Sequence, residues 1–366
     1  MHLYIHVPFC ARRCTYCDFA IAVRRVVPTD DFVEAIVAEW REWLSHPIWA
    51  TAPVVETIYF GGGTPSHIDP SGIGRILSRV DADRSIATGA EVTLEANPDD
   101  VTVSAAAAWQ AAGVNRVSLG VQSFEPPVLQ WMHRTHTADQ VPAAVDAVRA
   151  AGIGDLSLDL IFGLPASLGR PWERDLERAL ALDPEHLSLY GLTVEEHTAL
   201  GRWTAMGRVQ PEDEERYAEE FLLAHEALVG AGYEHYEVSN AGKAGHRARH
   251  NAGYWRRAPF IGLGPSAHSG YGAERRWNLR EWQAYHDASI AGRNVVAGHE
   301  FLGPEEVALE EIYLGLRTRE GVPASRLPEE VRAAWGQEGW ARLEGDRIVL
   351  TAEGWLRLDA LAASVG

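Results

Sequence analysis

Cys10, Cys14 and Cys17 are the three thiols of the 366-residue chain, and all lie within eight residues. An odd number of cysteines confined to one loop cannot build a disulfide framework. Convergence on a metal centre is the chemistry this spacing suits. Thiolates hold iron–sulfur clusters, and a four-iron cluster on three cysteines leaves one iron without a protein ligand, open to a small chelating molecule. The alternatives are a zinc ion with His6 as fourth ligand, or unrelated free thiols. Structural zinc normally draws on two separated ligand pairs, which this loop lacks.

The elements around the loop LYIHVPFCARRCTYCDF show how it is held. Short apolar or β-branched runs alternate with segments of helical spacing, the signature of βα units. Strands are expected at Leu3 to Val7, Glu56 to Phe60, Glu91 to Leu94, Arg116 to Leu119, Asp155 to Leu160 and His186 to Leu189. Helices are expected at Asp31 to Leu44, Val103 to Ala112, Ala138 to Ala151 and Pro171 to Leu182. Six such repeats predict an α/β fold with a parallel sheet or partial barrel.

Reactive groups in such folds gather at the carboxyl ends of the strands. The second strand runs into GGGTPS, where Gly61, Gly62 and Gly63 lack Cβ atoms and let backbone groups approach a ligand closely. Glu95 stands at the tip of the third strand in LEANPD, Gln122 at the tip of the fourth in LGVQSF, and Asp159 within the fifth in LDLIFGLP. A lone polar residue at a strand end is most often simply solvated. Recurrence after consecutive strands favours a shared site.

Past residue 205 the alternation fades. A helix at Glu212 to Val229 precedes an irregular Gly-, His- and Arg-rich stretch at 241–272 and a helix at Leu279 to Ile290. The last sixty or so residues suit a small α+β, winged-helix-like unit, with helices at 304–316, 328–340 and 352–362 and a strand at 347–350. Expected divisions are 1–205, 206–300 and 301–366.

Composition excludes several function classes. With 46% hydrophobic and 23% charged residues the chain is a folded globular protein and not a disordered linker. A net charge of −18 with no basic stripe argues against a nucleic-acid partner. The N-terminus carries no signal-peptide pattern, and no run approaches the roughly 20 apolar residues of a membrane span. A reducing cytoplasm is the expected location.

CxxxCxxC with Tyr16 beside it, at the end of the first strand of a βα repeat, resembles the radical S-adenosylmethionine (SAM) superfamily. YIHVPFC, GGGTPS, EANP, GVQSF, HRTH and DLIFGLP, in this order, resemble its subgroup containing the oxygen-independent coproporphyrinogen oxidases and the haem chaperones, over about residues 2–270. The resemblance implies a partial (β/α)6 barrel, a [4Fe-4S] cluster on Cys10, Cys14 and Cys17, and SAM on the open iron. It implies SAM contacts from Tyr4, Tyr16, Gly62, Gly63, Thr64, Glu95, Gln122, Arg134 and Asp159. Without it, Arg134 would read as a surface ion-pair former.

Two departures separate the chain from the oxidase branch: Phe19 stands where those enzymes carry a further cysteine, and they have a longer segment before the first strand. The stretch ARHNAGYW instead contains the HNxxYW pattern of the chaperone branch in His250, Asn251, Tyr254 and Trp255. A histidine nitrogen is a usual axial ligand of haem iron, and flat aromatic rings suit a macrocycle. Arg247, Arg249, Arg256 and Arg257 could pair with propionates. The bland alternative is a core aromatic pair with solvated arginines; His246 and His268 are the next candidate ligands after His250. The resemblance thus implies haem as cargo, haem-accepting and chiefly respiratory partner proteins, an electron donor to the cluster, and no nucleic acid. Peripheral membrane association and SAM cleavage during transfer stay open, and no residue is assigned a catalytic role. Decarboxylation of coproporphyrinogen III is the second reading, and a zinc-stabilised binding module the third.

Overall fold

The computed structural model describes residues 1–365. Six parallel strands stand side by side in chain order: β1 (His2–Val7), β2 (Val55–Gly62), β3 (Ile86–Ala96), β4 (Arg116–Gln122), β5 (Asp155–Phe162) and β6 (His186–Gly191). Helices return the chain between them: α1 (Thr29–Trp43), α2 (Pro70–Asp83), α3 (Val103–Ala112), α4 (Gln140–Ala150) and α5 (Trp172–Ala181). The expected α/β fold is therefore present, and α2, which sequence periodicity did not single out, completes the repeat after the second strand.

Each barrel strand alternates with period two. Leu3, Ile58, Phe60, Leu94, Val117, Leu119, Leu158 and Leu187 are buried on one face. Residues of opposite parity are polar and touch one another: Tyr59 meets Glu95, Ser118 meets Asp159, and Ser157 meets His186 and Ser188. The sheet therefore has an apolar face and a hydrogen-bonded polar face.

The sheet does not close on itself. After α6 (Glu214–Gly230), strands β7 (Glu234–Glu237) and β8 (Asn240–Gly242) add antiparallel to β6. On the other edge, β9 (Phe260–Leu263) runs parallel to β1, followed by the antiparallel strands β10 (His268–Tyr271), β11 (Glu274–Asn278) and β12 (Val296–Phe301). The stretch 241–272 is thus not irregular: it holds strand residues and α7 (Arg249–Trp255), elements too short for a periodic signal. One twelve-stranded sheet runs through residue 205, so no break in the fold occurs there. Past residue 303 a separate three-stranded antiparallel sheet (322–323, 341–344 and 347–350) packs with helices 304–316, 329–337, 352–355 and 358–363. The helix expected at 352–362 is broken into two.

A buried carboxylate ties the added strands to the barrel. Glu39 of α1, 2% exposed, accepts from the Gly264 amide at 2.8 Å, the Asn278 amide at 2.7 Å and the Tyr285 hydroxyl at 2.6 Å. Burial pushes its pKa up to about 7 against those three donors. Glu39→Ala leaves the Gly264 amide and the Tyr285 hydroxyl without an acceptor, each worth roughly 1–3 kcal/mol, and Asn278 with the Gly264 carbonyl alone. A loss of at least ~2 kcal/mol in urea unfolding is expected, and a loss below ~0.5 kcal/mol would show that the orphaned donors find other partners.

Candidate active site

The carboxyl ends of β1 to β6 surround a cavity of about 470 Å³. Cys10, Cys14 and Cys17 line it together with Tyr16, Gly62, Gly63, Thr64, Glu95, Gln122, Arg134 and Asp159. Residues spread over some 150 positions of sequence thus meet in one place, as expected for strand-end groups. Two named candidates are elsewhere, Tyr4 and His250.

The cysteine loop is held by main-chain pairing. Phe9–Cys10 forms a two-residue parallel bridge with Ala22–Val23, and the Arg24 amide donates to the Cys10 carbonyl at 2.9 Å. Thr64 Oγ1 lies 3.4 Å from Cys10 Sγ, and Arg134 Nη1 lies 3.8 Å from Cys14 Sγ. Burial pushes the Cys10 thiol up to about 11, opposed by the Thr64 hydrogen bond, and raises Cys17 as well. Thiolates there need a cation to hold them ionised, which an iron cluster supplies. His6 does not serve as a zinc ligand: its Nε2 pairs with the Ala20 carbonyl at 2.9 Å and its Nδ1 with the Tyr4 hydroxyl at 3.1 Å. Among the described residues no three His, Cys, Asp or Glu side chains form a group suited to a single metal ion.

The glycines act differently from the sequence expectation. The Gly62 amide is already used, donating to Glu95 Oε2 at 3.0 Å, and the Gly63 amide donates to the Val7 carbonyl at 2.7 Å. Their missing Cβ atoms make room for protein. A Cβ on Gly62, at φ +114°, would lie 2.6 Å from the His6 ring, and one on Gly63 would lie 2.8 Å from the Phe9 carbonyl. Close packing of the cysteine loop on β2 is what excludes side chains there.

Glu95 and Asp159 face the same cavity, and among the described residues neither forms an ion pair. Glu95 accepts from Tyr59 at 2.8 Å; Asp159 accepts from Ser118 at 2.9 Å. Burial, then the Asp159 carboxylate, pushes Glu95 up to about 7, and burial raises Asp159. Two uncompensated carboxylates suit a cationic ligand, and SAM carries a sulfonium and an ammonium. Arg134 supplies the opposite charge for a carboxylate, its Nε buried without a partner and its Nη2 held by the Gly120 carbonyl at 2.7 Å and by Asn97. Gln122 turns at φ +65°, a left-handed backbone uncommon outside glycine and found at ligand sites. The residues present therefore fit both cluster and SAM. Asn97, Ser118 and Tyr59 were not singled out from sequence; Asn97 stood inside EANP, while Ser118 and Tyr59 follow from the period-two face once the strands are known.

His250 is buried at 1% exposure at the opposite, amino end of the barrel. Its Nδ1 pairs with Thr57 Oγ1 at 2.7 Å and its Nε2 with the Tyr254 hydroxyl at 2.9 Å. The ring lies 5.1 Å from that of Tyr59, and Tyr4 stacks on Tyr59 at 6.1 Å. Burial lowers the imidazole to about 3, so it is neutral with both nitrogens engaged. The expected axial ligand is instead part of a buried hydrogen-bond network that fixes α7 beneath the barrel, where Glu91 accepts the Arg249 and His250 amides at 2.9 Å each. Tyr4 belongs to the same layer: its ring stacks on Tyr59, which donates to Glu95, and its hydroxyl pairs with His6.

Residues 4–179 match the model of the radical SAM superfamily. The haem chaperone HemW of Mycobacterium tuberculosis is 37% identical over 369 residues, spanning 99% of this chain and 94% of that protein. The chain belongs to the HemW family of radical SAM proteins. HemW of Bacillus subtilis is 33% identical over 329 residues, 89% of this chain and 86% of its own length. Escherichia coli coproporphyrinogen III oxidase, HemN, shares the fold with a TM-score of 0.81 and 20% identity over 99% of this chain and 89% of its own. Among the described residues, no helix is long and apolar enough to cross a membrane.

Two outcomes follow from this geometry. Gly62→Val should lower both thermal stability and iron retention, because the valine meets His6 in a strained backbone; a variant with the full iron content and stability of the parent would show that the site tolerates the side chain. SAM affinity should rise as pH climbs through about 7, where Glu95 ionises. The same raised pKa stabilises the ligand-free fold most below the ordinary carboxylate range and is lost as pH rises through 7. Equilibrium dialysis of SAM from pH 6 to 8 checks this, and Glu95→Gln should flatten the profile.

Proposed function

We propose that the chain is a haem chaperone on a radical SAM scaffold, holding a [4Fe-4S] cluster and SAM in the cavity at the carboxyl ends and delivering haem to acceptor proteins, respiratory ones among them. The observation that carries this is the 37% identity to a haem chaperone over 99% of the chain. Cys10, Cys14 and Cys17 would hold the cluster, Arg134 would take the SAM carboxylate, and Glu95 and Asp159 its cationic groups. When bound, the cluster would supply one-electron reducing chemistry to the SAM held beside it by Arg134, Glu95 and Asp159. The residues themselves orient the ligand and keep water from the cavity floor, where Tyr59 and Ser118 hold the two carboxylates.

The haem seat we favour is the second large cavity, about 540 Å³, between α7 and the unit beyond residue 303. Trp255, Arg247, Arg249, Arg256, Arg257 and Arg326 line it. Its size falls within the range of small-molecule sites, and Trp255 Nε1 is buried there without a partner. Arg247, Arg257 and Arg326 are held by glutamates, so Arg249 and Arg256, beside the flat indole, are the arginines that suit the propionates and ring of a haem. His250 contributes by holding α7, not by ligating iron. His246, tied to Asp155, is no freer, while His268 is exposed on β10.

The oxidase reading is the second, favoured by the shared fold with coproporphyrinogen III oxidase. Against it, Phe19 stands at the position of the further cysteine and is 57% exposed. One anaerobic preparation tests both. It should be brown, hold about four irons and four sulfides per chain, and lose them on Cys14→Ala. Haem should bind with a weakened affinity in Arg256→Glu, by about tenfold, while a folded His250→Ala keeps the parent haem spectrum. Repeated turnover of coproporphyrinogen III with SAM would transfer the chain to the oxidase reading, and a colourless zinc protein would remove both.

A further inference from the structure

A third cavity, of about 510 Å³, lies between α6, β7 and the unit beyond residue 303. Residues 317–319 pair with β7 through an antiparallel bridge from Thr318 to Glu237, and this pairing is the wall between the second cavity and the third. Alternate residues face opposite sides of it: Tyr236, Thr318 and Glu320 line the second cavity, His235 and Arg319 the third. Leu222 and Val229 of α6, with Leu350 and Trp355 of the small unit, give the third cavity apolar walls. Of its charged residues, Arg342 is held by Glu344 and Glu353 by Arg357, while Arg319 is exposed and forms no ion pair among the described residues.

Two imidazoles meet in this cavity. His225 Nδ1 and His235 Nδ1 lie 2.8 Å apart, and His235 Nε2 lies 3.2 Å from the Val238 carbonyl. A carbonyl oxygen only accepts, so the proton of His235 sits on Nε2 and its Nδ1 is a lone pair. The bond between the rings then requires the proton of His225 on Nδ1. His225 Nε2 is left as an unprotonated lone pair, without a hydrogen-bond partner among the described residues, on a half-buried side chain. Burial holds both imidazoles below the ordinary histidine value, His235 at about 3, so neither takes up a second proton at neutral pH. Trp355 packs on both rings, with centroids 5.0 Å and 6.4 Å away, and its Nε1 donates to the Leu316 carbonyl at 3.1 Å. A ring whose other N–H is fixed by an acceptor is the usual arrangement of a metal-ligating histidine. One imidazole does not hold a bare ion, and among the described residues no three His, Cys, Asp or Glu side chains gather there. It can complete the coordination of an iron already held in a macrocycle.

We propose that the third cavity is a second haem station, in which His225 Nε2 is the axial ligand of the iron and Arg319 pairs with a propionate. This rests on the haem reading given above. Coordination here is the entry of one lone pair into a vacant axial position of the iron: no electron is transferred, and no proton leaves, because Nε2 carries none. His235 positions the ligand by accepting its Nδ1–H, and Trp355 with Leu350 and Val229 supplies apolar surface for the ring. The two stations hold haem by different means. Guanidinium groups and an indole serve in the second cavity, iron ligation in the third, across a wall one strand thick.

The test uses the full chain with two ligands: haem, and metal-free protoporphyrin IX, which has no iron to ligate. Haem binding is followed in the Soret region, the iron–histidine stretch of ferrous haem by resonance Raman, and porphyrin binding by fluorescence. The parent should show a histidine-ligated haem. In His225→Gly that signature should disappear and haem binding at this site should weaken at least about tenfold, with protoporphyrin IX affinity unchanged. Free imidazole should restore the signature in the glycine variant, because it fills the space the ring leaves. Arg256→Glu, which acts on the second cavity, should leave the signature in place. A signature that survives His225→Gly overturns the proposal. A parent that binds haem without a histidine signature also overturns it and leaves the haem reading standing, whereas a parent that binds no haem rejects that reading itself. Loss of protoporphyrin IX together with haem, without rescue by imidazole, assigns His225 to packing and overturns the proposal. If His225→Gly unfolds, His235→Leu carries the comparison: it keeps the ligating ring, removes the acceptor of its Nδ1–H, and should move the iron–histidine stretch to lower frequency. An unmoved stretch overturns the proposal.

Discussion

Everything in this molecule depends on the period-two alternation of six parallel strands. Apolar residues of one parity are buried on one face, and polar residues of the other parity share the opposite face. A polar face is costly to bury unless each group finds a partner. Tyr59 with Glu95, Ser118 with Asp159, and Ser157 with His186 are how the cost is met. At the carboxyl end the partners run out, and Glu95, Asp159 and Arg134 are left facing one cavity with incomplete neutralisation. Binding capacity is located where the satisfaction of the polar face stops.

The two ends of the barrel consequently do different work. The carboxyl end gathers thiols, carboxylates and a guanidinium around a cavity. At the amino end His2, Thr57, His250 and Tyr254 close on one another, with α7 lying beneath β2 and β3 on the Glu91 carboxylate. A network of this kind uses up its own lone pairs. It fixes the helix in place, and the helix presents Trp255 and the nearby arginines toward the second cavity, away from the barrel.

Charge is distributed as unevenly as polarity. The net −18 is spread over the chain, yet arginines concentrate around the second cavity and around the cysteine loop. Those at the cavity are largely paired, Arg247 with Glu234 and Glu320, Arg257 with Glu310 and Glu311. Those at the loop form no ion pair among the described residues. Paired guanidinium groups hold shape, while unpaired ones keep their field unscreened by a neighbouring carboxylate.

Much of this was legible in the sequence. All six barrel strands, the cysteine loop and the strand-tip residues Glu95, Gln122 and Asp159 follow from alternation and from the rule that parallel strands carry their chemistry at one end. The strand at Arg347–Leu350 was legible, but the strands that extend the large sheet past residue 230 were not, because runs of three to six residues on a sheet edge carry too little periodicity to distinguish them from loop. Two readings turned on contacts that sequence does not contain. The glycines of GGGTPS were expected to admit a ligand, yet His6 and the Phe9 carbonyl occupy that space. His250 was expected to hold iron, yet Thr57 and Tyr254, one of them 193 residues away, take both its nitrogens. The sequence by itself determined which residue types stand at which strand ends, since period and order are local properties of the chain. Which polar atoms remain free was decided by tertiary structure alone, because a lone pair is available only when no residue, however distant in sequence, has been packed against it.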